Sequence, residues 1–309
     1  VIHRKLIGLV IAAAAIHGTQ AQSNRADTAA RTSSAVNLTR AAQSADTAAD
    51  TAAIDQAEFD LGEQQPVNAR SGGLGAYALA NTSLNYTSNA FLANGGRQGD
   101  MYFVAQGGGG LYPQIYPNLY LDGHVSQEVF QYAKYSSLNF SRFNAGGGLD
   151  YIFEELGGLT LSVRYDYERF LDGDSFSELY VNNAISTTLA KEFHLNDVMA
   201  IQAGGRAVIS VYAEPYEARR NEYDLWVGWR WRLVEPLELQ TYYMLSFFHY
   251  PSGDRTDLTQ NVGATLNYNV TRWARISASA NFGANNSTDA YFDYTVVNLG
   301  GTLALDFRF

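Results

Sequence analysis

The stretch TVVNLGGTLALDFRF, Thr295 to Phe309, decides the fold. Taken alternately, Thr295, Val297, Leu299, Gly301, Leu303, Leu305, Phe307 and Phe309 make one largely apolar face. Val296, Asn298, Gly300, Thr302, Ala304, Asp306 and Arg308 make a small or polar one. Side chains on a β-strand point alternately to opposite faces, so this strand offers one surface to hydrocarbon and the other to water. A strand of a soluble sandwich alternates too. The reading therefore turns on whether the rest of the chain repeats the pattern.

It does, from Leu74 onward. Alternating segments separated by turn residues predict strands near 74–87, 100–112, 117–132, 138–153, 159–170, 177–193, 197–212, 221–234, 236–250, 256–270, 272–283 and 291–309. Twelve is an even number, as in bacterial single-chain membrane barrels. Leu159, Leu161, Val163, Tyr165 and Tyr167 oppose Thr160, Ser162, Arg164, Asp166 and Glu168. Tyr223, Leu225, Val227, Trp229, Trp231 and Leu233 oppose Asp224, Trp226, Gly228, Arg230 and Arg232. An Arg or Lys facing lipid at the bilayer midplane costs roughly 2–4 kcal/mol. The charged faces therefore belong inside, and a one-residue slip of any strand would reverse them.

Connections sort by length. Those at 154–158, 194–197, 235–236 and 271–272 are tight, and they alternate with longer polar ones near 92–99, 171–176, 213–222, 251–257 and 284–290. Membrane barrels place short turns in the periplasm and longer loops outside, which puts both termini on the periplasmic side. Composition agrees: 21 Tyr, 16 Phe and 28 Gly against 17% charged residues, with no cysteine for disulfides or thiolate metal sites. Beyond residue 21 no run of about 20 apolar residues exists, which excludes helical membrane spans.

The ending Phe307-Arg308-Phe309 resembles that of Gram-negative outer-membrane β-barrels, and the chain as a whole is similar to their β-barrel porin families. Tyr86-x-x-Asn89-x-Phe91 also resembles a pattern near the first strand of such families. The resemblance implies an all-β, up-and-down transmembrane antiparallel barrel of about twelve strands in the bacterial outer membrane. It also implies that Phe309 and Phe307 form the signal read by the barrel-assembly machinery. It names no substrate.

The amino terminus fits a chain that is exported. His3, Arg4 and Lys5 precede the apolar run Leu6–Ile16, and Thr19-Gln20-Ala21 supplies small residues for cleavage, the layout of a signal peptide over 1–21. Its removal takes away Arg4 and Lys5, moving the net charge from −10 to about −12. Residues 22–70 repeat Ala-Asp-Thr-Ala-Ala at Ala26, Ala45 and Ala49 and hold almost no large apolar residue before Ile54. Such a segment predicts a disordered or weakly helical periplasmic extension. A helix that plugs the barrel and a short displayed passenger are the alternatives. The barrel itself occupies 71–309.

The expected lumen carries Arg164, Arg206, Arg230, Arg232, Arg275 and Arg308 against Asp122, Glu128, Asp150, Asp166, Glu168, Glu178, Asp224, Glu238 and Asp306. Arg164, Asp166, Arg206, Asp224, Arg230, Arg232, Glu238, Arg275 and Asp306 are the pore-lining candidates. Eight strands leave an interior filled by side chains and sixteen to eighteen leave an open channel, so twelve suits a narrow passage for small solutes or ions. Inward Gly108, Gly110, Gly146, Gly148, Gly204, Gly228, Gly263 and Gly300 leave room for one, or else accept neighbouring rings. A closed accessory barrel serving envelope or polysaccharide export is the other reading. Acidic loops holding Asp172, Asp174, Glu214, Glu217, Asp254, Asp257, Asp289 and Asp293 suit lipopolysaccharide bridged by divalent ions, and favour cations modestly. Other partners are the membrane lipid; no basic patch suits nucleic acid.

Catalysis is not expected. Outer-membrane phospholipases use a Ser–His pair on the lipid-facing wall, yet His249 and Ser252 have no polar orienting partner in alternating positions. His124 and His194 are isolated, so no metal or cofactor is expected. The stretch between the expected cleavage site and the first strand is too short for an autotransporter passenger. Gly107–Gly110 lacks the helix a phosphate loop needs.

Overall fold

A computed structural model describes residues 75–309 together with Ala26; the expected signal peptide and the rest of the 22–70 extension lie outside the described residues. Thirteen strands follow in order: β1 (Ala76–Thr87), β2 (Asp100–Leu111), β3 (Gln114–Tyr116), β4 (Leu119–Tyr132), β5 (Phe140–Phe153), β6 (Leu159–Asp172), β7 (Glu178–Asn196), β8 (Met199–Glu214), β9 (Asn221–Val234), β10 (Leu237–Tyr250), β11 (Arg255–Thr271), β12 (Ala274–Ser287) and β13 (Tyr294–Arg308). Each barrel strand pairs antiparallel with its neighbours. The ring closes where β1 meets β13, from Tyr77↔Arg308 to Thr87↔Asn298, and β2 meets β4, from Tyr102↔Tyr132 to Leu111↔Gly123. Strand β3 pairs only with the start of β4, so twelve strands make the wall.

Strands run further than their apolar alternation. β12 reaches Ser287 and β7 reaches Asn196, so the loop expected at 284–290 is 288–293. Asn285 and Asn286 pair with Thr259 and Leu258 of β11. A ladder needs backbone groups, not apolar side chains, and continues after the strand has left the lipid. The tight connections at 154–158, 197–198, 235–236 and 272–273 share one end of the barrel with both ends of the chain's strand series. This is called here the terminal end, and the other the loop end. In the turn after β5, Gly157 and Gly158 take φ of +66° and +79°, a backbone region open to glycine at little cost.

The outer wall is apolar. Leu84, Val163, Leu225, Val262 and Leu303 expose 44–63% of their surface, where a soluble protein would bury them. Aromatic pairs mark both rims of this belt. Trp229–Trp231 and Trp273–Phe307 stack near the terminal end, and Phe143–Tyr167 and Tyr223–Phe247 lie near the loop end. Outward polar groups find partners on the wall: Tyr165 donates to Asn183 Oδ1 and Tyr243 to Gln260 Oε1. Phe309 is 77% exposed, and its N–H donates to the Ala76 carbonyl across the closing seam.

Two buried polar residues organise the loop end. Asn89, fully buried, accepts from Ala93 N–H and donates to the carbonyls of Ala93 (2.9 Å) and Thr295 (3.1 Å), tying the first loop to β13. Asp100 accepts from the N–H groups of Met101, Lys134 and Tyr135, which fixes the next loop. Inside, Tyr102–Tyr132, Phe130–Phe140 and Phe140–Phe170 pack ring on ring, with Ala26, helical and buried, in the same cluster.

Asn89→Ala removes the links from a fully buried amide to both partly buried carbonyls, which predicts a loss of about 1–3 kcal/mol. Asn94→Ala, which loses one exposed bond to Ala290, is expected to cost under about 0.5 kcal/mol. Denaturant unfolding of the vesicle-inserted barrel measures both. Equal midpoints would show that Asn89 does not hold the seam.

Candidate functional site: the barrel interior

The inner wall has two chemically different halves. The first, from β4 to β9, carries a lattice of ion pairs. Arg142 on β5 lies between Glu128 of β4 (3.3 Å) and Glu168 of β6 (2.5 Å). Arg164 on β6 reaches Asp122 of β4 (3.3 Å) and Asp150 of β5 (3.0 Å). His124 sits between Asp122 and Asp166, each at 3.3 Å, with Asn144 Oδ1 2.8 Å from its Nε2. Arg206 on β8 binds Glu222 and Asp224 of β9, both at 2.7 Å. Arg230 of β9 pairs with Glu192 of β7, which also accepts from Gln202. Each of these pairs joins strands at most two apart around the wall.

The second half, β11 to β13 and β1, is neutral. Between Arg275, Asp306 and Arg308 at the terminal end and Arg255 and Asp257 at the loop end, its inward positions are Asn, Ser, Thr and Gly with a few apolar residues. Three inward asparagines stand opposite glycines on the next strand: Asn261↔Gly283, Asn281↔Gly263 and Asn85↔Gly300. Asn298 donates to Asn281 Oδ1 (2.9 Å), and Ser277 donates to Asn267 Oδ1 (2.7 Å).

Glycine governs how these side chains lie. A Cβ on Gly146 would fall 2.3 Å from Asp166 Oδ1, one on Gly148 2.6 Å from Arg164 Cγ, and one on Gly300 2.3 Å from Asn85 Oδ1. On Gly204 it would meet the Trp226 indole at 2.3 Å, and on Gly263 the Tyr242 ring at 2.5 Å. Polar, charged and aromatic side chains thus lie along the wall over a neighbour's bare backbone, instead of reaching for the axis.

All nine pore-lining candidates lie at inward positions. Arg164, Asp166, Arg206, Asp224 and Arg230 join the lattice directly. Arg232 stands across from Glu238, which accepts from Gln240. Arg275 donates to Asn269 (3.0 Å), and Asp306 lies 3.9 Å from the half-exposed Arg308 at the terminal rim. The lattice also holds Arg142, Glu192 and Glu222, absent from the sequence list. Arg142 follows the same alternation as Asn144 and Asp150, so its position was available from β5 alone. Glu178 departs from expectation. A register shift at Phe170/Leu171 takes it to the rim, where it pairs with Arg169 and both are exposed. His249 is at an outward position, and the Ser252 hydroxyl donates to the Glu217 carbonyl in the loop.

Neither a protein-family model nor a curated protein matches the chain. Solved structures do. An outer-membrane channel of Pseudomonas putida F1 matches over 79% of this chain and 100% of its own, at 13% identity and TM-score 0.52. The KdgM porin matches over 74% and 99% (11%, 0.40), and the DcaP outer-membrane channel of Acinetobacter baumannii over 77% and 99% (10%, 0.42). The chain has the fold of the outer-membrane β-barrel channels.

Glu222 and Asp224 are 3% and 2% exposed. Arg206→Met leaves both without this cation and is expected to cost about 3 kcal/mol, since breaking a buried pair strands its charges. Arg169→Met, at the exposed pair with Glu178, should cost under about 1 kcal/mol. Unfolding free energies in vesicles compare the two. Similar losses would contradict the lattice as a structural element.

Proposed function

We propose that the barrel is a narrow outer-membrane channel for passive diffusion of small solutes or ions, without enzymatic activity. One observation carries this reading: the ion pairs of the inner wall join strands at most two apart, with Asp166 and Arg164 lying over Gly146 and Gly148, and none of those described above spans the diameter. A barrel that fills itself, as eight-stranded ones do, packs side chains across its axis. Twelve strands with wall-hugging side chains leave the axis to water. In this reading the terminal end faces the periplasm, in keeping with its short turns, and the acidic loop end meets the lipopolysaccharide leaflet.

The closed accessory barrel is favoured by a different observation. Phe130, Phe140 and Phe170 are 0–3% exposed on the inner wall at the loop end, with Ala26 packed in their cluster. That packing narrows one side of the mouth. The neutral half of the wall contributes no member to it.

Planar bilayers separate the two. The channel reading predicts discrete conductance steps for the purified protein. In a salt gradient, Arg230→Glu should shift the reversal potential toward cation preference at low ionic strength, with the shift fading as salt rises. Membranes that hold folded protein yet stay silent would establish the closed barrel. Unchanged selectivity in a conducting variant would take Arg230 off the permeation path.

A further inference from the structure

We propose that the neutral half of the lumen, with the two aromatic rings at its edge, is a binding track for uncharged polyhydroxylated solutes, that is, short neutral oligosaccharides. The proposal rests on the diffusion-channel reading and names its substrate class. A pyranose ring presents a C–H face that packs on an aromatic plane and a rim of hydroxyls, each both donor and acceptor. The complementary surface needs flat rings beside groups that also donate and accept. Carboxylates only accept and guanidinium groups only donate, whereas amides and hydroxyls do both.

The inner wall meets these requirements in adjacent strands. Trp226 of β9 and Tyr242 of β10 point inward, half-buried, at staggered positions: Trp226 pairs with Met244 and Tyr242 with Gly228. Their rings lie over Gly204 and Gly263, so each is held flat against the wall and pre-ordered for stacking. Next around the ring comes the amide row of Asn261, Asn281, Asn298 and Asn85. A primary amide has two N–H donors and two acceptor sites. Asn298 is buried and donates to Asn281, and Asn85 donates to Ser83, so the half-buried Asn261, Asn281 and Asn85 carry the remaining donor and acceptor sites toward a ligand. The charged half supplies little competing attraction, because its Arg, Asp and Glu groups already bind one another across 2.5–3.3 Å. A charged sugar entering this lumen exchanges its hydration for paired charges on one side and neutral amides on the other. A neutral sugar finds matching donors and acceptors.

The test uses the full-length protein in planar bilayers, with maltotriose and trigalacturonate as probes. Maltotriose is expected to interrupt the potassium chloride current in a saturable way, and trigalacturonate at least about tenfold more weakly. Trp226→Ala should raise the half-blocking maltotriose concentration about tenfold, and Trp226→Phe should restore most of the block. If Trp226→Ala does not assemble, Tyr242→Leu probes the second ring in the same way. A conducting channel that neither sugar blocks, that both block equally, or whose block survives loss of the ring would overturn the substrate class and leave the diffusion reading standing. Absence of any current would overturn both.

Discussion

Closure of the backbone ladder is the constraint from which the rest follows. In hydrocarbon no water replaces a missing partner, so every N–H and C=O of a spanning segment must be bonded within the protein. A sheet can satisfy this only by meeting itself. Here β1 meets β13 over eleven paired residues and β2 meets β4 over ten, and Asn89 ties the loop beside the first seam to β13. Once the ring is closed, each alternate residue faces either lipid or lumen. The sequence must then obey a period of two around the whole circumference.

The lumen shows how that period is used for more than partition. Inward positions on β4 to β9 hold nearly all the mid-wall charge, while β11 to β13 and β1 hold amides and hydroxyls. The charged groups of the lattice bond one another along the wall, and Gly146 and Gly148 give Asp166 and Arg164 a place to lie. This combination stabilises the wall. It also splits the interior into a side whose electrostatics are satisfied internally and a side with unspent hydrogen-bonding capacity.

Much of the fold was legible in the sequence. The alternations in 159–168, 223–233 and 295–309 give both the strands and their faces, and every pore-lining candidate lies inside as that alternation requires. Legibility fades where contacts depend on stagger between strands. Arg164 bonds Asp122 and Asp150 and does not bond the adjacent Asp166, which faces His124; one strand's pattern cannot supply that. Glu178 was placed in the lumen by a period that a register shift at Phe170/Leu171 interrupts. The inward rings of Phe130, Phe140 and Phe170 were not anticipated either, because apolar residues on the wet face break the rule used to read the strands. Asn89, in contrast, had a sequence signal in the Tyr86-x-x-Asn89-x-Phe91 pattern, and its physical content is the bond to Thr295.

The chain contains no cysteine, so single cysteines placed along β12 report their surroundings without background. Reaction rates with a membrane-impermeant, water-soluble thiol reagent in vesicle-inserted protein test the central claim most directly: a closed barrel with lipid outside and water inside. Cysteines replacing the inward Arg275, Ser279 and Asn281 should react, and those replacing the outward Ile276, Ala278 and Ala280 should resist, giving a period of two along the strand. Uniform reactivity, or the opposite phase, would contradict the assignment of faces. Uniform protection would contradict a water-filled interior.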